Sequence, residues 1–363
     1  MKDVLKKSLY GIVVSLVVVL VVTALHTYKS IASTPSEVKI VIREKKDKFC
    51  FVGDVFFSTN IRKSYDEKGI SGILDASFSE ILSNTDMNIA NLECSITDEK
   101  DNRADKTYTF ALPSKYVKGL KKLNIDLFTL ANNHILDFGM GALDNTIKAL
   151  DSIDIGHMGA GDTLSAAKRV YVKKIDGKRY GFFGASAVLP SGKWQANELH
   201  GGVFNGYDIE SVAREIESIK PYVDKVIVYM HWGNELENES NKTQRFLGHK
   251  LVDAGADLVI GTHAHTTQEI EYYKGVPIVY SLGNFIYGGQ SRDMIIVEAS
   301  FDYSKDVDVE LRLRIFPGVS GYKSTRRYDT DSITKNKLKS LNAKSKTCYI
   351  DEDGYVHANE KEK

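Results

Sequence analysis

The residues of this chain best equipped for chemistry stand where apolar runs stop. The run at 258–261 opens into Thr262-His263-Ala264-His265, and His231 follows the run at 225–230. Upstream, Gly53-Asp54 closes a run at 49–52, a run at 87–90 ends in Asn91-Leu92-Glu93, and Asn133-His134 follows one at 125–130. Each run has the length and apolar content of a buried strand, so the spacing predicts that Asp54, Glu93, Asn133, His134, His231, His263 and His265 all emerge at strand ends. In open α/β architectures that rim is where ligands collect. A His-x-His pair by itself is as compatible with a structural role as with a ligand role; its company is what points to a metal. Carboxylate, amide and imidazole donors without thiolate suit one or two divalent transition ions such as manganese, iron or zinc. A carboxylate can bridge two such ions, and the pair then clamps both the attacking and the leaving oxygen of a phosphoryl transfer.

The elements that must position these groups alternate between strand and helix. Apolar residues recur at helical spacing over 70–82, 115–123, 141–152, 209–220 and 243–254. The stretches 170–175 and 180–185 flank Asp176-Gly177 and predict a hairpin, which puts antiparallel strands into an otherwise parallel α/β pattern and so predicts mixed sheets. Residues 294–301 and 307–316 read as closing strands. Lys193, Trp194 and His200 lie in a loop-like stretch suited to a binding lip. From 326 to 363 the sequence is polar and predicts a weakly ordered tail.

The chain has 363 residues, 42% of them hydrophobic and 26% charged, an ordinary globular balance. Its 48 basic and 48 acidic residues cancel, which argues against nucleic acid as a partner. At the amino terminus Lys2, Lys6 and Lys7 precede the uncharged stretch 8–25. We expect a cytoplasmic end at 1–8, a single membrane-spanning helix at 9–25, a charged stalk at 26–47 and one extracytoplasmic domain at 48–325. The alternative is a cleaved signal peptide, with Ser30-Ile31-Ala32 as the processing site. Cys50, Cys94 and Cys348 allow at most one disulfide, and Cys50 and Cys94 read as small buried thiols in or beside core strands.

The order and wording of the motifs resemble one family. Gly53-Asp54, Asn91-Leu92-Glu93, Leu130-Ala131-Asn132-Asn133-His134 with Asp137 and Gly139, His231-Trp232-Gly233 with Glu235, His263-Ala264-His265, and Tyr280-Ser281-Leu282-Gly283-Asn284-Phe285 are similar to the CapA (PgsA) poly-γ-glutamate capsule synthesis family, over about residues 49 to 300. That family is similar in fold to the calcineurin-like metallophosphoesterases, which implies a sandwich of two mixed β-sheets flanked by helices. The resemblance also implies a membrane anchor and, as partners, a poly-γ-glutamate synthetase and a small membrane subunit. Carried over, Asp54 would bind a first metal and Glu93 would bridge in place of the usual aspartate. Asn133 and His231 would bind a second metal, His263 and His265 would divide between the two, and His134 would be the acid beside the leaving group. Asp137, Glu235 and Asn284 would orient these ligands by hydrogen bonds or, equally, cap turns at the rim. The phosphoesterases have Asp-x-His at the first motif, whereas Phe56 stands two residues after Asp54, so a ligand is missing there. Lys193, Arg245 and Arg292 are candidate contacts for an anionic polymer. The functions implied are a metal-dependent component of capsule synthesis or export, a scaffold that binds the polymer without catalysis, and a free-standing phosphoesterase or polymer hydrolase.

Overall fold

Side-chain alternation sets the layers. In the first strand, β1 (Lys46–Val55), Phe49 and Phe51 face one way and Cys50 and Val52 the other, the period of two that lets one strand build two cores. The computed structural model describes residues 46–304 and 309–362, together with 16 and 19–23. The strands that follow are β2 (Met87–Leu92), β3 (Leu127–Thr129), β4 (Gly156–Met158), β5 (Tyr171–Ile175), β6 (Lys178–Ser186), β7 (Lys225–His231), β8 (Leu258–Thr262), β9 (Ile270–Tyr273), β10 (Val276–Val279), β11 (Asn284–Ile286), β12 (Arg292–Asp302), β13 (Glu310–Ser320), β14 (Thr325–Arg327), β15 (Cys348–Ile350) and β16 (Tyr355–Ala358).

A ten-stranded sheet runs β15-β16-β13-β12-β1-β2-β3-β4, with β11 beside β1 and β14 beside β13. A six-stranded sheet runs β9-β10-β8-β7-β6-β5. Both are mixed: β1, β2, β3 and β4 are parallel while β12 and β13 are antiparallel, and β6, β7, β8 and β10 are parallel while β5 and β9 are not. The hairpin expected at Asp176-Gly177 joins β5 to β6, with both turn residues at positive φ.

Between the sheets, Phe49, Phe51, Ile89 and Leu127 pack on Phe182, Ile227, Tyr229 and Ile260. Outside the large sheet, Val52, Ala90 and Phe128 meet Ile61, Phe78, Leu120 and Leu143 from four short helices. Outside the small one, Val226, Val228 and Met230 meet Val212 and Ile216 of helix Ile209–Ile219 and Leu247 and Leu251 of helix Lys242–Asp253. The order helix, sheet, sheet, helix is the sandwich that the motifs implied. Cys50, Cys94 and Cys348 are free and buried.

Gly53 fixes how β1 reaches the rim. Up to Phe51 the strand pairs with β12; from Asp54 it pairs with β11, opposite Asn284. At that switch a Cβ on residue 53 would sit 1.7 Å from the Gly283 carbonyl oxygen, which accepts a 3.3 Å hydrogen bond from the Asp54 N–H. No side chain fits, and so glycine precedes the aspartate.

Two boundaries differ from expectation. The anchor at 9–25 and most of the stalk at 26–47 lie outside the described residues, among which no helix is long and apolar enough to cross a membrane. The stalk nonetheless ends early, because Lys46 and Asp47 belong to β1 and the buried Asp47 accepts a 2.5 Å bond from the Tyr180 hydroxyl. The segment expected as a polar tail is instead structured. Helix Asp331–Lys344 and the strands β15 and β16 close the end of the large sheet, burying Leu338, Leu341, Ile350 and Val356. Those few apolar residues are widely spaced among lysines that pair outward, such as Lys335 with Glu352 at 2.7 Å and Lys337 with Asp293 at 2.5 Å. That masks their pattern in the sequence.

A chain ending at residue 325 therefore loses four buried apolar side chains, each worth about 1.5–3 kcal/mol, a loss comparable with a whole domain's stability of about 5–15 kcal/mol. We expect it to be unfolded or insoluble where residues 46–363 melt cooperatively by circular dichroism; equal melting midpoints would restore the tail reading.

Candidate metal centre

The strand ends converge. Asp54 is the penultimate residue of β1, and Asn91 lies opposite it on β2 and donates to its Oδ1 at 2.8 Å. Glu93 leaves β2 and is fixed by its own N–H to the Val55 carbonyl at 3.0 Å. Both carboxylates are fully buried. From the other sheet, His231 ends β7 opposite Thr262, whose hydroxyl lies 3.2 Å from His231 Nδ1. That leaves His231 Nε2 facing inward, 2.8 Å from Asn133 Oδ1, 3.1 Å from His263 Nδ1 and 3.7 Å from Glu93 Oε1. His265 Nδ1 bonds Asn284 Oδ1 at 2.7 Å and stands 3.6 Å from Asp54 Oδ2.

These distances sort the residues into two adjoining groups with Glu93 in common. Ligand atoms of Glu93, His231 and His263 lie within 4.8 Å of one another, as do those of Asp54, Glu93 and His265. Donors about 2.1 Å from a common ion stand roughly 3.0–3.5 Å apart, so the spacing suits a cation between them. The unsatisfied atoms suit one too. Asp54 Oδ2 and both oxygens of Glu93 are buried without a hydrogen-bond partner among the described residues, a state that is costly for an ionised carboxylate unless a positive charge meets it.

Electrostatics follow from burial. Desolvation first, then the charge of Asp54, pushes Glu93 well above the usual carboxylate range. Burial holds His231 far below the ordinary imidazole value, and holds His263 at about 3, helped in each case by neighbouring imidazoles. His265 escapes: burial would lower it, but the carboxylates of Glu93 and Asp54 lift it to about 10.

His134 stands apart from the ligand groups. Its Nδ1 lies 2.6 Å from Asp137 Oδ2, and its ring stacks on Phe110 with centroids 4.0 Å apart. Asp137 is in turn held by the Phe110 N–H and the Lys106 ammonium, each at 2.7 Å. Desolvation lowers the imidazole pKa of His134, against the pull of Asp137.

Of the groups expected to orient ligands, Asp137 serves His134 and Asn284 serves His265. Glu235 differs. It is exposed and makes no hydrogen bond among the described residues, acting on Glu93 through its charge alone. The polymer-binding candidates also lie elsewhere in the network: Arg245 is engaged by Ser240 and Glu269, Arg292 bonds Gln290, and Lys193 is exposed beside Trp194. The cation that does reach the site is Lys106. It bonds Asp137 and the Asn133 carbonyl, comes within 3.3 Å of His134 Nδ1 and lies 4.9 Å from the Trp194 ring centroid. Nothing in its loop, Asp101-Asn102-Arg103-Ala104-Asp105-Lys106, marks it in the sequence. Asn91 and Asn132 were also missed as site residues, although both stand inside recognised motifs. Asn132 donates to Asn91 Oδ1 at 2.9 Å and accepts from the His134 N–H at 2.9 Å, coupling the two halves of the site.

Residues 48–288, more than half of the chain, match the model of a family described as bacterial capsule synthesis protein PGA_cap. The capsule biosynthesis protein CapA of Bacillus anthracis is 28% identical over 282 residues, which are 76% of this chain and 68% of that protein. The PGA biosynthesis protein CapA of Bacillus subtilis is 32% identical over 253 residues, 68% of this chain and 66% of that protein. This chain thus spans about two thirds of the length of these relatives. Among solved structures, a Staphylococcus aureus protein provisionally assigned as a 5′-nucleotidase is similar with a TM-score of 0.50 at 14% identity, covering 82% of this chain and 58% of that one, a likeness of fold.

Two outcomes test the centre. Glu93→Gln removes a buried charge that only a cation can meet, so the chelator-treated variant should melt a few degrees above chelator-treated wild type, about 1–2 kcal/mol, yet gain nothing from added manganese or zinc. Scanning fluorimetry with and without metal reads both signs. Metal entry must also displace the proton that His265, at about 10, retains near neutrality. Affinity should therefore rise with pH, and calorimetry in buffers of different ionisation enthalpy should register proton release.

Proposed function

We propose that this chain, which belongs to the bacterial capsule synthesis protein PGA_cap family, is a membrane-anchored, extracytoplasmic component of poly-γ-glutamate capsule synthesis or export. It would act with a synthetase and a small membrane subunit. The lysine-flanked apolar stretch at 8–25 supports the anchor and its orientation.

We further infer that its rim is a metal-dependent hydrolytic site. One observation carries this reading: two buried carboxylates with three unpartnered oxygens face imidazoles whose ring nitrogens converge on them. Asp54, Glu93 and His265 would hold one ion, and Glu93, Asn133, His231 and His263 the other. Such ions supply Lewis acidity toward an ester or amide oxygen and toward water. The protein's own groups supply the rest. Asp137 takes the Nδ1 side of His134 and leaves Nε2 to hold or deliver a proton at a departing oxygen or nitrogen. Lys106 and the Phe110 N–H fix Asp137, and the Phe110 ring fixes the plane of the imidazole. Lys106 is also the cation nearest the approach of an anionic chain.

His134→Ala should keep its metal and lose about 10²–10⁴-fold in turnover, whereas His231→Ala should lose metal and turnover together. Elemental analysis of each variant, with phosphate-ester and poly-γ-glutamate hydrolysis assays, separates the two. Capsule formation that survives both substitutions but not deletion of the domain would convert the role to that of a polymer-binding scaffold.

A further inference from the structure

The segment that closes the large sheet is basic in a chain that is not. Residues 321–347 hold eight lysines and arginines against two aspartates, whereas the 48 basic and 48 acidic residues of the whole chain cancel. The fold keeps these charges together. The turn at 321–324 joins β13 to β14 at the rim end of the large sheet, because Arg292, the first residue of β12, lies opposite Ser320, and Ser320 opposite Thr325. Helix Asp331–Lys344 follows, burying Leu338 and Leu341 and leaving Lys335, Lys337, Lys339 and Lys344 exposed or half-buried.

Three of the eight cations meet carboxylates: Lys335 meets Glu352 at 2.7 Å, Lys337 meets Asp293 at 2.5 Å and Arg326 meets Asp329 at 2.6 Å. Lys344 and Lys346 bond only the carbonyls of Asn238 and Ala343, which leaves their charge unbalanced. Lys323, Arg327 and Lys339 are exposed and side-chain bonds to them are absent among the described residues, although the charge of Glu352 reaches Lys339. Five cations on one stretch therefore stand without a carboxylate partner. Like charges held together repel one another, a cost that an opposite charge removes. The stripe also leads to the metal centre. Lys337 and Lys344 line one groove with Asn238, Thr266 and Thr267, and Thr266 follows His265 on the turn that carries the paired histidines.

We propose that residues 321–327 and helix Asp331–Lys344 form a docking surface for an acidic polymer, a chain of repeated carboxylates held by Lys323, Arg327, Lys339, Lys344 and Lys346 beside the metal centre. The inference rests on the reading of this chain as a component of poly-γ-glutamate capsule synthesis or export, and names where the polymer is held. Six of the eight cations in the stretch are lysines, compact hydrated charges without the bidentate fork of arginine. Each contact is then weak and separately adjustable, so a flexible carboxylate chain can move along the face instead of locking to it. A flat lipid surface is the poorer fit, because Lys344 lines the groove beside Thr266 instead of standing out from the protein.

The test is binding, independent of turnover. Full-length protein should bind fluorescently labelled poly-γ-glutamate in anisotropy titrations, with an affinity that falls as salt is raised. The triple variant Lys323→Gln, Arg327→Gln, Lys339→Gln removes only side chains without a partner, so it should melt like wild type, keep its metal and bind the polymer at least about tenfold more weakly. Removing three exposed cations from the β5–β6 hairpin instead, with Lys173→Gln, Lys174→Gln and Arg179→Gln, should leave binding as in wild type. No loss in the first variant, or equal loss in both, overturns the surface while the capsule reading stands. Binding of phosphatidylglycerol vesicles in place of the polymer, abolished in the first variant, gives the face to lipid and overturns the proposal. If wild type binds no polymer at low salt the surface falls as well, and capsule formation that persists when the domain is deleted would overturn the parent reading separately.

Discussion

The burial of two carboxylates side by side is the constraint on which this structure depends. Asp54 and Glu93 are both fully buried, and three of their four oxygens meet no donor. Four imidazoles lie around them, but burial keeps His231 and His263 neutral, and the Asp137 contact commits one face of His134 elsewhere. Only His265 is pulled toward its charged form by the pair. One imidazolium against two carboxylates leaves a negative charge in a medium that penalises it by several kcal/mol. The pair therefore forms a socket suited to positive charge. A core chosen for stability alone would place apolar side chains there.

Holding that socket open falls to the backbone. Gly53 lets β1 touch the Gly283 carbonyl, which sets Asp54 opposite Asn91 and Asn284. His263 and His265 adopt φ values of 92° and 55°, a region that non-glycine residues seldom occupy and that costs of order 1–3 kcal/mol. The strain turns two ring nitrogens from one short turn toward different carboxylates. Side-chain amides then lock the parts together, since Asn132 bonds Asn91, and Asn91 bonds Asp54 and approaches His231 Nδ1 at 3.3 Å. These amides have no charge to titrate and offer both donor and acceptor, which suits them to brace a site whose charge must change.

What the sequence revealed of this arrangement, and what it hid, divides along physical lines. Strand ends were legible because apolar runs of fixed period stop abruptly at polar residues, and Asp54, Glu93, Asn133, His231, His263 and His265 all stand at such stops. The sandwich followed from the alternation within those runs. Lys106 was not legible, because a lysine in a polar loop looks like any solvated charge until Asp137 and Trp194 are placed beside it. Glu235 misled because adjacency to His231 in sequence does not orient a side chain across the turn. The helix Asp331–Lys344 was lost among its own lysines, since two buried leucines in fourteen residues make too narrow a stripe to stand out.

That helix also bears on how far the site extends. The match to the family ends at residue 288, yet the turn that carries the paired histidines leans on what comes later. Thr266 bonds Asn238 at 2.8 Å, and the Asn238 carbonyl accepts from Lys344 at 3.1 Å. Gln268 bonds the Glu237 carbonyl at 2.9 Å, while the Ile270 and Tyr272 N–H groups at the start of β9 donate to the Ser345 and Thr347 hydroxyls at 3.0 and 2.6 Å. A strained turn stays strained only if its surroundings over-determine it. Here the restraint comes on one side from residues 237–238, just after the His231 strand, and on the other from residues 344–347. The carboxyl-terminal segment is thus part of the support of the metal centre: it holds the free edge of the small sheet in place, and that edge holds the histidine turn.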